Sequence, residues 1–255
     1  MKIAVYTALY GDKDVLRAPL NAREDRSIDY FVFSDNPELE VAPYRLELRT
    51  PQFQDVAKNA RYYKIMGDPI LEPYDYVIWH DANIQLNETK IKDLISLSQP
   101  TFLTTFSHPN RDDFYSEAMS CIRVGKDFSL RILKQVLVCF FNGMPAHEGM
   151  YATGILVRNY HVKSKIDPKV FMRFWWEQTL KYSRRDQLSL AYSIYKMKMP
   201  ISCIKGDILH NDFSTYHRHK YTHYINGNNL MRYNVKAVRT FAFYGVQVLR
   251  KLQKL

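Results

Sequence analysis

The chain has 255 residues, 46% of them hydrophobic, and a net charge of +10 from 36 Lys and Arg against 26 Asp and Glu. That length and apolar share fill one large domain or two small ones and exclude a chain disordered throughout. Cys121, Cys139 and Cys203 are far apart and odd in number, which excludes a disulfide framework or zinc knuckle and points to a reducing compartment; no run reaches the roughly 18 apolar residues of a membrane span.

In chain order, KIAVYTA (2–8) alternates as a buried strand closed by Tyr10-Gly11-Asp12, and DYFVF (29–33) repeats the pattern, closed by Ser34-Asp35-Asn36-Pro37. The N-terminal stretch lacks the small-residue cleavage site of a signal peptide, so the chain reads as soluble or peripheral. From Val56 to Ile70 the spacing predicts a helix, stopped by Pro69 and Pro73 before a third strand at 76–80. Strand, helix, strand at these lengths predicts parallel pairing with crossovers. A fourth strand is expected at 101–106, helices over 112–141 broken at Gly125, and a fifth strand at 153–158. Asp167-Pro168 opens a helix, a second follows from RRDQ, and 201–224 is short, polar and histidine-rich. From 230 to 255, Val235, Val238, Ala242, Val246, Leu249 and Leu252 form an apolar stripe edged by Lys236, Arg239, Arg250 and Lys254. Such a stripe suits either an anionic membrane surface or packing on its own domain or a partner chain. The expected organisation is one domain over 1–225 and a basic amphipathic helix over 226–255.

The chemistry concentrates where strands end, because open α/β sheets bind ligands in the crevice beyond the carboxyl ends of their strands. In YDYVIWHDANIQL (74–86) a buried strand gives way to Asp81-Ala82-Asn83. Asp and Asn end strands as ordinary turns, and they also offer two oxygen ligands to Mg²⁺ or Mn²⁺ carrying a phosphate. Thr7 and Tyr10 at the first strand end, with Asp35 at the second, can grip a base and ribose. Arg61 and Lys64, three apart on a helix, can reach one diphosphate. His108 and Arg111 in HPNRDDFYSEA can form an acceptor wall. In HEGMYATGILVR, Glu148 is a candidate base. In SRRDQLSLAY, Arg185 joins the acceptor set, while Asp186 either stabilises a helix start or meets the acceptor hydroxyl or the reacting sugar carbon. His210 is the first choice among the late histidines to join Asp81 and Asn83 around a cation; zinc is weakly supported without helical ligand spacing.

Taken in order, YTALYGDKD, FVFSDNP, ARYYKI, YDYVIWHDANI, HPNRDDFYSEA, WWEQ and SRRDQLSLAY resemble a glycosyltransferase-like family of plant pectin and mucilage proteins and bacterial polysaccharide clusters. More distantly, the order resembles GT-A enzymes of the glycogenin and galactosyltransferase type. The resemblance spans roughly residues 3 to 195. It implies a GT-A-like, Rossmann-like α/β fold with a mixed, mainly parallel sheet flanked by helices. Asp81 and Asn83 would match an Asp-x-Asp element, Asp186 and Gln187 an Asp-Gln element of the catalytic site, and His210 a late metal-binding histidine. Asn83 departs from that pattern, supplying a neutral ligand where an acid is usual.

The resulting expectation is a metal-assisted glycosyltransferase, with Mn²⁺ or Mg²⁺ as cofactor. It would move a sugar from a nucleotide-sugar, a UDP-sugar first, to a glycan or lipid-linked glycan in surface polysaccharide synthesis. It would work in the cytoplasm, against the inner face of the membrane. The competing classes are a basic nucleic-acid-binding module, disfavoured because the cations are dispersed and no RNA-binding aromatic signature occurs, a hydrolase, and a nonenzymatic sugar-binding relative.

Overall fold

In the computed structural model, which describes residues 1–22, 27–220 and 233–253, strand β1 (Ile3–Leu9) alternates its side chains between two apolar layers. Ala4, Tyr6 and Ala8 enter one layer, Ile3 and Val5 the other, the period-two signature of a strand covered on both faces. β2 (Ile28–Ser34) pairs with it in parallel, Ile3 opposite Ile28 through Leu9 opposite Ser34, and β3 (Arg45–Leu48) extends the edge. Helix α1 (Val56–Met66) starts where the Asp55 carboxylate accepts from the Ala57 amide at 3.0 Å. It stops short of the expected Ile70 because Gly67, at φ 74°, turns its amide back to the Tyr63 carbonyl. Pro69–Leu71 then forms a separate 3-10 turn.

β4 (Tyr76–His80) lies parallel to β1 on the side away from β2. The chain continues through β5 (Ile84–Leu86), α2 (Ile91–Ser96), β6 (Leu103–Ser107), α3 (Phe114–Val124), α4 (Ser129–Phe141), β7 (Tyr151–Asn159), α5 (Pro168–Lys181) and α6 (Asp186–Met197). β8 (Ile201–Ile204), β9 (His210–Asn211), β10 (Ser214–Tyr216) and α7 (Lys236–Leu252) follow. The main sheet runs β3-β2-β1-β4-β7-β6-β8, and β5, β10 and β9 form a small second sheet. Four neighbouring pairs of the main sheet are parallel, whereas β7 is antiparallel to both β4 and β6. The fold is a mixed, mainly parallel α/β sheet flanked by helices, consistent with a Rossmann-like architecture. Because the chain builds β2 and β3 on one side of β1 and then crosses to β4, the sheet has a switch point between β1 and β4.

Helix α7 packs on α3 and α4. Ala242 and Val246 are fully buried there. Arg239 donates to the Ile122 and Arg123 carbonyls at the C-terminus of α3, and Arg250 pairs with Asp113, the N-cap of that helix. The centre of the apolar stripe is therefore spent on the domain itself, one of the two roles open to it from the sequence. A different face is open to solvent: Phe241, Tyr244, Val248 and Leu252 are all more exposed than buried neighbours require, at 66%, 59%, 56% and 48%. The expected boundary at 225/226 lies outside the described residues.

Candidate functional site

The carboxyl ends of β1 and β4 open into a cleft of about 730 Å³. Ala8, Leu9 and Tyr10 form one wall, Trp79 with Asp81, Ala82 and Asn83 another, and α1 a third. A switch point leaves such a crevice because the crossovers on its two sides depart in opposite directions. Six cationic side chains, Lys13, Arg61, Lys64, Lys126, Arg184 and Arg185, line the cleft against two carboxylates, Asp14 and Asp81.

Lys64 is the centre of the arrangement. Its ammonium donates to Asp81 Oδ1 at 3.0 Å and Thr153 Oγ1 at 3.1 Å, and lies 2.8 Å from Asp186 Oδ2. The side chain is 4% exposed, so a buried charge is paired on two sides, as burial demands. Asp186 is held further by Arg61 Nε at 3.1 Å and by the Thr153 hydroxyl at 2.8 Å. Burial pushes the Asp186 pKa up, but the Lys64, Arg61 and Arg185 charges outweigh it and hold the group far below the usual carboxylate range. A carboxylate so stabilised is a poor proton acceptor, and it does not line the cleft. Asp186 is the shared counter-ion of Lys64 and Arg61, off the cleft wall, at the first turn of α6. Gln187 beside it accepts from Arg185 at 2.7 Å.

Asp81 stands at the mouth of this network. Its Oδ1 also accepts from the Trp79 indole at 2.9 Å, and its amide donates to the Gly154 carbonyl at 2.8 Å. Two isoleucine ends pack directly over the glycine at 154: a Cβ there would lie 2.6 Å from Ile84 Cδ1 and 2.9 Å from Ile208 Cδ1. His80 faces away from the cleft, fully buried, donating from Nδ1 to the Ile84 carbonyl at 2.8 Å and taking the Tyr44 hydroxyl on Nε2 at 2.9 Å. That explains the polar end of an apolar strand: His80 pins the turn, and Asp81 is turned outward by it.

The other expected residues separate. Tyr10 lines the cleft, its ring stacked on Tyr63 at 6.1 Å. Asn83 lines it too, with its amide nitrogen donating to the His217 carbonyl at 3.0 Å. Thr7 is wholly buried in β1, its hydroxyl without a partner, and Asp35 is exposed past β2; neither is on the wall. Glu148 is exposed in the loop before β7, also off the wall. His108 and Arg111 line a separate depression of about 470 Å³, where Arg111 is committed to Glu117 at 3.0 Å. His210 is exposed, paired with Asp207 at 3.1 Å, and does not line the cleft.

This set does not fit a divalent metal. The expected third ligand, His210, is off the cleft wall. One oxygen of the single carboxylate, Asp81, already holds an ammonium and an indole, and Asn83 adds only a neutral amide. Among the described residues no three His, Cys, Asp or Glu side chains converge on one point. A second cation at Asp81 would also face the buried Lys64 charge.

Three contributors escaped the sequence. Arg158, 2% exposed on β7, donates to the Tyr6 hydroxyl and to the Lys64 and Ile65 carbonyls, satisfying the C-terminal end of α1 that carries Lys64. Asp55 accepts from Arg184 at 3.1 Å, tying the start of α1 to the loop before α6. Asp14 pairs with His219 across the cleft wall. Distant partners of this kind leave no local pattern, although an arginine inside an apolar strand was a usable signal for the first.

No curated protein matches the sequence. The family described as TOD1/MUCI70, glycosyltransferase-like domain, matches residues 1–223, and with most of the chain covered, this protein belongs to that glycosyltransferase-like family.

Proposed function

We propose that this protein transfers a sugar from a nucleotide-sugar, with UDP-sugars the first class to test, to a glycan acceptor in surface polysaccharide assembly. The observation that carries the reading is the cationic cleft at the β1/β4 switch point, with six positive side chains against two carboxylates. Transfer breaks the bond between the anomeric carbon and the donor phosphate, the electron pair leaving on the nucleoside diphosphate. A new bond forms to the acceptor hydroxyl oxygen, whose proton passes to a base or to the departing phosphate. Cations fixed in a partly dry cleft stabilise the charge that grows on the leaving group more than the charge already present in the ground state. Arg61 and the Lys64 network are the groups so placed. The acceptor would be held by positioning rather than covalent chemistry, and the carboxylates within its reach are those of the wall, Asp14 and Asp81.

The same reading places the protein in the cytoplasm at the inner face of the membrane, working on lipid-linked glycans. Its support is the open face of α7, where Phe241, Tyr244, Val248 and Leu252 lie beside Lys236 and Lys251. No helix among the described residues is long and apolar enough to cross a membrane, and an amphipathic helix with aromatic and basic side chains suits its surface.

The test is a thermal-shift panel of UDP, GDP, CDP, TDP and CMP on wild type and Asp81→Ala. A ligand at 100 times its Kd adds about 2.7 kcal/mol of stability. One diphosphate should stabilise wild type, and Asp81→Ala, which removes a negative charge from the wall beside the Lys64 ammonium, should retain that stabilisation. If no nucleotide shifts the wild type, the transferase reading gives way to a nonenzymatic binding module.

A further inference from the structure

We propose that Lys64 does the work of a divalent cation in this site, so that nucleoside diphosphate binding and transfer need no metal. The inference rests on the donor-site reading above and deepens it. A metal serving a nucleotide-sugar has to use a carboxylate on the cleft wall and share it with the donor phosphates. Here the carboxylate in question, Asp81, already has one oxygen on a resident cation, the Lys64 ammonium at 3.0 Å, which it shares with Asp186. That charge is built in rather than incidental. It is 4% exposed, bonded to Thr153 at 3.1 Å, and paired at 2.8 Å with Asp186, which Arg61 and Thr153 hold from the other side. Arg158 fixes the backbone beneath it through the Lys64 carbonyl.

Asn83 fits the same scheme. With a lysine neutralising Asp81, a second acid two residues on would restore negative charge to a wall that must receive a diphosphate. A neutral amide avoids this, and its nitrogen is used to hold the His217 carbonyl. The substitution that looks like a weakened metal motif is thereby the expected partner of a resident lysine.

The experiment measures the affinity of UDP, GDP, CDP and TDP by calorimetry, first in EDTA and then with Mn²⁺ or Mg²⁺. Wild type should bind one of them with affinities that agree within about threefold across the conditions. Binding that appears only with metal overturns the proposal and leaves the donor-site reading standing. Binding of none of them under any condition overturns both. These outcomes need no variant, so they are immune to a misfolded mutant.

Lys64→Ala adds a second readout. It should weaken binding in EDTA by at least about tenfold. Mn²⁺ should recover part of the loss, because the vacated space between Asp81 and Asp186 can then take a metal. Unchanged binding in folded Lys64→Ala, verified by circular dichroism, also overturns the proposal.

Discussion

His80 is fully buried in its strand end, and burial lowers its pKa to about 4 from the usual 6.5, against the smaller pull of two backbone carbonyls. The native state therefore holds the imidazole neutral, while the unfolded chain takes up a proton below about pH 6.5. More protons on the unfolded state mean that stability is complete above that value and is lost as pH falls towards 4. The loss attributable to His80 is on the order of 3 kcal/mol. Urea unfolding at pH 7 and pH 4.5 should show it, and His80→Gln should flatten the difference. Asp186 gives a contrasting expectation at the same scale. Asp186→Asn keeps the shape but removes the carboxylate that Lys64 and Arg61 share, leaving Asp81 as the remaining counter-charge of Lys64, which should destabilise by about 3 kcal/mol. The double variant Asp186→Asn with Lys64→Met should be less damaged than the sum of the two singles. Of these side chains, Asp81, Arg61 and Lys64 were legible in sequence because strand ends and helix spacing are local signals. The role of Asp186 was not, because its burial between two cations depends on tertiary contacts.

β7 shows what periodicity leaves out at the scale of elements. Its existence was readable from TGILVRN, but its direction was not: alternation reports which faces are buried, not whether neighbours run parallel. Running antiparallel to β4 brings Thr153 to Lys64, Gly154 to Asp81 and Arg158 to the far end of α1, so one strand holds Lys64 by both its head and its carbonyl. Arg158→Leu should cost about 3 kcal/mol, because three buried acceptors lose their donor. It should also weaken nucleotide binding although Arg158 is not on the cleft wall. Arg158→Lys should recover only part, lacking the forked donor geometry. Denaturant unfolding and calorimetry on the same samples separate the two effects. The short strands β3, β5, β8, β9 and β10, of two to four residues each, were missed for a plainer reason: so few residues carry no measurable period.

For the whole molecule, the sequence disclosed an α/β sheet and its crevice, whereas α7 needed the fold. An amphipathic pattern cannot say which stripe meets the domain, and here the stripe centred on Ala242 and Val246 does, leaving Phe241, Tyr244 and Val248 outside. Flotation with vesicles should recover the protein with anionic lipid and much less with zwitterionic lipid. Phe241→Ser with Val248→Ser should reduce recovery about tenfold or more, as about 1.5 kcal/mol or more is lost per buried apolar side chain, without altering nucleotide affinity. Recovery unchanged in that variant would leave the face without a lipid role. The Asp14–His219 pair joins residues 205 apart in sequence, and both line the cleft. During synthesis the early strands can pair as they emerge, but the cleft wall closes only after residue 219 has been made. Contacts of such separation form late in folding, so a ribosome-bound chain truncated before that residue would carry most of the sheet and an unfinished site.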